Sequence, residues 1–354
     1  MLTLTEYKRN MIAPLNLFFL FTVSRMLIVF TISSVVLKSA YSFDIIISIA
    51  ASFVIIMLLS IPVIKLIESN KNVLNNKIIA LAYGIYFIYA GSINVSKFAM
   101  FSSTELNQNA KLLFLAATMI AACIYAASLR IEAISRFGSF VFVLMVLGVV
   151  GLTGFCAKDF SSLNLFPIVQ NSKMQMLNNM LFSVASTNEL LLIFVLAPKV
   201  NGKIKKPFYF SMVLSYLIAM LMVVLVIGVL GDTASLASYP VFEASELAKL
   251  GTNERLESIF IALWIFAIFL KTTLYLYCAS QCFKGKKEGT KCVACGCVML
   301  LAAWLILSGN AYNRLENIFV IIPYFVFAAV IPCGYLIFGK RKSGDDLIEA
   351  FKNN

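Results

Sequence analysis

The chain has 354 residues, of which 61% are apolar and 13% charged, and its mean hydropathy is +0.91. Soluble globular proteins are about 45–50% apolar and about 25% charged, so the excess is too large for a bigger core and places most of the chain in lipid or against other helices inside lipid. Histidine is absent, which removes Ser-His-Asp and Cys-His nucleophiles and imidazole metal sites, and the net charge of +12 sits in short Lys/Arg clusters between apolar runs, as in membrane proteins rather than nucleic-acid surfaces.

Ten apolar stretches follow one another, near residues 14–37, 43–64, 77–101, 110–128, 136–155, 178–198, 208–231, 256–283, 292–309 and 315–338. Each approaches the length a helix needs to cross a hydrocarbon core of about 30 Å. An outer-membrane barrel would instead alternate polar and apolar residues over roughly ten positions. Lys8 and Arg9 precede the first stretch, but nine more spans follow it and no small-residue cleavage site ends it, so it reads as a signal anchor. With the N-terminus placed in the cytoplasm, 19 Lys and Arg fall in inner segments and 7 in outer ones, which predicts both termini inside and an even number of spans. The expectation is one all-α transmembrane domain over 1–354. Residues 1–155 form a first five-helix half, 178–338 a second, inverted half, and 339–354 a short cytoplasmic tail. Two outer loops are long, 156–177 and 232–255. In the second, Tyr239–Leu250 has helical apolar spacing ended by Gly251 and predicts an amphipathic helix over the outer face.

Four ionisable residues interrupt the spans: Arg25, Lys97, Glu189 and Lys271. A charge at mid-bilayer costs at least about 2.5–3.5 kcal/mol, so such groups face the bundle interior with a partner or a cavity. Lys97 lies near a span end and is expected to snorkel. Arg25 and Glu189 lie mid-span in spans one and six, the first helices of the two halves, where inverted-repeat transporters break their helices around substrate. Ser24-Arg25 and Ser183-Val-Ala-Ser186-Thr187-Asn188-Glu189 are locally polar, and their hydroxyls suit an unwound backbone. Arg25 and Glu189 are expected to approach each other, as helix glue, as a ligand site, or as both. Lys271, Thr272 and Tyr275 share a helical face that lines the same place. The candidate ligand-binding set is therefore Ser24, Arg25, Ser186, Thr187, Glu189, Lys271, Thr272 and Tyr275. Tyr324 and Asn94 are polar marks read as structural.

Cys278, Cys282, Cys292, Cys295 and Cys297 gather on the predicted cytoplasmic side, but companion ligands at finger spacing are missing, and reduced packing thiols are expected. No nucleotide fingerprint, catalytic carboxylate pair or metal motif is present, so neither enzyme nor cofactor is predicted. Gly148-Val-Val-Gly151-Leu-Thr-Gly154 reads as small-residue helix packing.

Three groups of residues resemble the GerAB family of spore germination proteins. One runs Tyr239-Pro240, Glu246, Gly251-Thr-Asn-Glu254-Arg255-Leu256-Glu257, Trp264 and Phe269-Leu-Lys271. The others are Ile131-Glu132-Ala-Ile-Ser-Arg136-Phe137-Gly138, and Glu189-Leu-Leu-Leu with Pro198. The resemblance covers nearly the whole chain; the Tyr-Pro to Arg-Leu-Glu block is its specific part. It implies the amino acid–polyamine–organocation transporter fold, ten helices as five-plus-five inverted repeats with helices one and six unwound at their centres. It further implies the transporter-like B subunit of a nutrient germinant receptor in the inner membrane of the spore. Such a subunit senses a small solute such as an amino acid beside an A-type membrane subunit and a C-type lipoprotein. The chain departs from the family in span one, where Val23-Ser24-Arg25-Met26-Leu27-Ile28-Val29 lacks the Gly-x-Gly break. Arg25 then either supplies the anion-binding charge or fills the pocket by pairing with Glu189. The alternative function is a proton- or sodium-coupled transporter of amino acids or related solutes.

Overall fold

The computed structural model describes residues 11–31, 39–69, 73–247, 249–250, 254–255, 257–283, 287–308 and 317–338. The end of the first predicted span, the start of the last, Gly251 and the 339–354 tail lie outside the described residues.

Over the described residues each apolar stretch is largely helical. The helices are α1 (Pro14–Thr31), α2 (Asp44–Glu68), α3 (Lys77–Phe101, continued by a π turn over Ser102–Leu106), α4 (Leu112–Ser128), α5 (Arg130–Cys156), α6 (Lys173–Ala185) and α7 (Glu189–Leu196). They continue with α8 (Lys205–Leu230), α9 (Pro240–Leu247), α10 (Glu257–Cys282), α11 (Glu288–Ser308), α12 (Asn317–Phe325) and, after a π turn over Val326–Val330, α13 (Ile331–Phe338). Among the described residues, eight segments are long and apolar enough to cross a membrane, with α6 and α7 forming one of them; Pro14–Phe30 and Leu112–Ser128 are shorter apolar helices. The predicted outer helix is shorter than expected. It ends at Leu247, and Lys249–Leu250 pairs instead with Glu254–Arg255 as a two-residue antiparallel ladder.

The helices form an inner group and an outer rim. The apolar window of the α6–α7 span is 78% buried and that of Phe319–Ile337 only 17%. The rim turns bare apolar side chains outward, among them Leu58, Phe114, Leu147 and Leu301, which suits lipid rather than water. The centre is α1, α7 and α10. Around it α10 packs on α3 and α5, α8 on α1, and α6 on α2. Close approach needs small residues at several crossings. A Cβ on Gly148 would lie 2.4 Å from Leu263 Cδ1 of α10, whereas one on Gly154 would meet nothing, so only part of the glycine run packs as expected. Pro323 lacks the N–H that would bond the Phe319 carbonyl four residues back, and the Tyr89 hydroxyl donates to that carbonyl instead (3.1 Å).

A polar stripe on α2 docks α6. Asp44, Ser48, Ser52 and Ser60 are four or eight residues apart and share one face. Asp44 is fully buried; its Oδ1 accepts from Ser42 Oγ (2.5 Å) and Asn171 Nδ2 (2.8 Å), and its Oδ2 from the Asn171 N–H (2.7 Å) and the Gln170 N–H (3.3 Å). That knot ties the 156–177 loop to the start of α2. Further along, Ser48 Oγ donates to the Met176 carbonyl (3.2 Å), Asn179 Nδ2 donates to Ser39 Oγ (3.0 Å), and Ser52 and Ser183 share a hydroxyl bond (2.8 Å). Outside the spans, half-buried Tyr239 has its hydroxyl pushed up to about 12 by burial, and packs edge-on against Phe101 (centroids 4.7 Å apart). Burial also raises the Glu243 carboxyl on α9, with Glu246 and Glu105 adding repulsion.

Removing the Asp44 carboxylate strands several donors, each worth about 1–3 kcal/mol when left unsatisfied in a buried place. Asp44→Ala is expected to lose at least about 2 kcal/mol in thermal unfolding of the purified protein in detergent. Asp44→Asn, which keeps one acceptor, is expected to lose less.

Candidate ligand site at the broken sixth span

The sixth span breaks where its sequence turns polar. Ser, Thr and Asn offer the backbone side-chain alternatives to helical pairing, and three follow in a row at 186–188. α6 ends at Ala185 and α7 begins at Glu189. The Thr187 N–H turns to the Val184 carbonyl (2.9 Å), so the Ser183 carbonyl loses its usual helical donor. Thr187 Oγ1 donates to it instead (3.2 Å), and so does Arg25 Nη2 (3.3 Å). Three tyrosines from three other helices hold the break. Tyr324 Oη of α12 donates to the Thr187 carbonyl (3.0 Å), Tyr216 Oη of α8 shares a bond with Thr187 Oγ1 (3.1 Å), and Tyr86 Oη of α3 donates to Asn188 Oδ1.

Glu189 opens α7, where the positive end of a helix dipole favours a carboxylate. It is fully buried. Its Oε1 accepts from Ser24 Oγ of α1 (2.5 Å) and from Lys271 Nζ of α10 (3.1 Å), while Oε2 has no partner among the described residues. Lys271 Nζ also donates to the Ser24 carbonyl (3.0 Å). One carboxylate thus joins α1, α7 and α10.

The expected Arg25–Glu189 ion pair is not what forms; Lys271 takes the carboxylate. Arg25 instead bonds the Ser183 carbonyl and its Oγ (3.4 Å), and lays its guanidinium over the Tyr216 ring, 4.5 Å from the centroid. Both cations lie at the same helix break, and it is the ammonium from α10 that meets the carboxylate. The unwinding of helix one implied by the family resemblance is also not seen: α1 runs unbroken from Pro14 to Thr31. Val23–Val29 has no glycine or proline to break it.

The other candidates lie close by in different ways. Ser186 Oγ bonds back to the Phe182 carbonyl of its own helix (2.7 Å). Thr272 is fully buried with its hydroxyl unpartnered among the described residues, and Tyr275 is buried with its ring stacked on Phe87. Lys97 is half-buried. Ser183, Asn188, Tyr86, Tyr216 and Tyr324 were not among the candidates although they shape the break. Their signal was a hydroxyl or amide inside an apolar span, without the helical spacing from a charge that singled out Tyr275 four residues after Lys271.

A bundle of apolar helices with one span broken at its middle is a build that membrane transporters use, and solved structures share the overall fold. Over 96% of this chain and 82% of the other, the fold matches a nucleobase-cation-symport-1 family transporter in a closed conformation with bromovinylhydantoin bound (TM-score 0.68, 14% identity). A substrate-bound, outward-open Na+-coupled sialic acid symporter matches over 88% of this chain and 79% of that one (TM-score 0.59, 13% identity). No curated protein matches by sequence. Residues 44–311 match the Spore_permease family model, described as spore germination protein, and the chain belongs to that family. It is a multi-pass, transporter-like membrane protein of spore germination, and its family and structural neighbours are permeases and transporters rather than enzymes.

Removing one partner of the buried ion pair strands the other, which costs about 3–5 kcal/mol. Lys271→Met alone and Glu189→Gln alone are each expected to lower abundance and thermal stability by that order. The double variant is expected to recover most of the loss. A double variant no better than the worse single would show that the pair is not the joint described.

Proposed function

We propose that the chain is the transporter-like membrane subunit of a nutrient germinant receptor and senses a small solute at the broken sixth span. The observation that carries the reading is the Glu189 cluster at the α6–α7 break in a chain that belongs to the germination permease family. The ligand site uses Ser24, Arg25, Ser186, Thr187, Glu189, Lys271, Thr272 and Tyr275. A receptor needs such a site because a ligand shifts a conformational balance only by its differential affinity for the two states.

The architecture we infer is ten membrane helices in two five-helix halves, 1–155 and 178–338, of opposite orientation. The break in span six and the family resemblance support that division; an intact α1 makes the two halves unequal at their centres. Both termini lie in the cytoplasm, on the strength of the 19 to 7 distribution of Lys and Arg. The membrane is the inner membrane of the spore. The partners are an A-type membrane subunit and a C-type lipoprotein, with α9 the outer element expected to make such a contact. A second reading, a cation-coupled secondary transporter, is favoured by the symporter folds that match.

Spores lacking this subunit are expected to lose the response to one class of nutrient while still germinating with agents that bypass receptors. Germination unchanged in the deletion removes the reading and leaves the transporter, which uptake of labelled solute into proteoliposomes then tests. The orientation has its own measurement. A cysteine at position 205 of a cysteine-free variant is expected to resist an impermeant thiol reagent applied from outside.

A further inference from the structure

Arg25, Glu189 and Lys271 are buried together at the break, with 2%, 0% and 3% of their surface exposed. The formal charges of these three leave one positive charge over, and half-buried Lys97 of α3 adds to the positive field at Lys271. Lys271 holds the Glu189 carboxylate through Oε1, so Arg25 has no carboxylate of its own. One guanidinium nitrogen makes two long contacts to Ser183, 3.3 and 3.4 Å, and the face lies on Tyr216. The Nε–H and the Nη1 hydrogens have no acceptor among the described residues, and Glu189 Oε2 has no donor. The other buried carboxylate on this seam, Asp44, has both oxygens engaged by Ser42, Gln170 and Asn171. A buried guanidinium without an anion is costly, and nothing else described in the protein supplies one.

We propose that the site takes a small organic monoanion, a monocarboxylate such as a 2-hydroxy acid, rather than a zwitterionic amino acid, and that Arg25 receives its carboxylate. This rests on the solute-sensing reading above and narrows its ligand. Where water is excluded, charge balance decides among solutes of one size. A monoanion closes the surplus to zero. A zwitterion leaves it at one, and its ammonium must compete with Lys271 for Glu189. A dianion overshoots by one. A neutral hydroxyl on the same monoanion gives Glu189 Oε2 the donor it lacks, without adding charge. Arg25 suits the role because guanidinium presents several fixed donors to a carboxylate and stays charged in a dry site.

Near-isosteric probes separate charge from shape: L-lactate as monoanion, L-alanine as zwitterion, L-lactamide as neutral amide and malonate as dianion. Each is titrated calorimetrically into the full-length protein in nanodiscs. Lactate is expected to bind at least about tenfold more tightly than the other three, the scale of one charge-assisted hydrogen bond. Arg25→Gln is expected to erase that preference and Arg25→Lys to keep part of it. If Arg25→Gln fails to fold, the wild-type series alone decides. Alanine, lactamide or malonate binding as tightly as lactate overturns the proposal, and so does binding by none of the four. Either result together with the deletion phenotype sinks only this proposal. A deletion without phenotype sinks the solute-sensing reading itself.

Discussion

The structure depends on one carboxylate with no water to rest in. Glu189 stands where the sixth span restarts, and in that setting it persists only if other helices come to it. Ser24 arrives from α1 and Lys271 from α10, both on the same oxygen. The packing of α10 across α1, α3 and α5 is therefore also the means by which an ammonium is carried to mid-depth. The same scarcity of water explains the tyrosines. A break frees backbone groups, and the Tyr324 hydroxyl gives the Thr187 carbonyl a donor while Tyr216 bonds the Thr187 hydroxyl, both keeping their rings in the apolar packing.

Breaking one helix and leaving its counterpart whole has a physical basis in composition. Span six spends three consecutive residues on side chains that compete with helical pairing; span one offers leucine, valine and methionine around a lone Ser-Arg. In α1 the polar work falls to side chains and to the single Ser24 carbonyl that Lys271 reaches. The germination family resemblance and the transporter folds agree on the frame, while this detail belongs to the chain's own residues.

Much of the frame was legible because it is one-dimensional. Length and apolarity locate helices, and a Ser-Thr-Asn run before a buried Glu locates the break. The partner of Glu189 was not legible. Arg25 and Lys271 are both mid-span cations, and only the crossing of α1 with α10 fixes which ammonium or guanidinium lands on Oε1. The Asp44 knot was hidden for the same reason, since Asn171 is 127 residues away in the chain and lies in a loop without periodicity. The outer helix was overextended because helical spacing continues past Leu247 in sequence, whereas the backbone pairs Leu250 with Glu254.

The α2 stripe has a geometric consequence. Hydroxyls recur along it every four residues from Ser48 to Ser52, about one helical turn, and then the series is interrupted by Ile56. Ser183, now opposite Ser52, would meet Ser48 if α6 slid one turn toward Asp44, and would meet a bare isoleucine if it slid the other way. Serines donate and accept alike, so the first displacement exchanges one partner for an equivalent one, and the second abandons a polar group to hydrocarbon. For Ser183 alone the seam is a pawl, lenient in one direction and closed in the other, while the Asp44–Asn171 knot and the Ser48–Met176 bond hold the resting register.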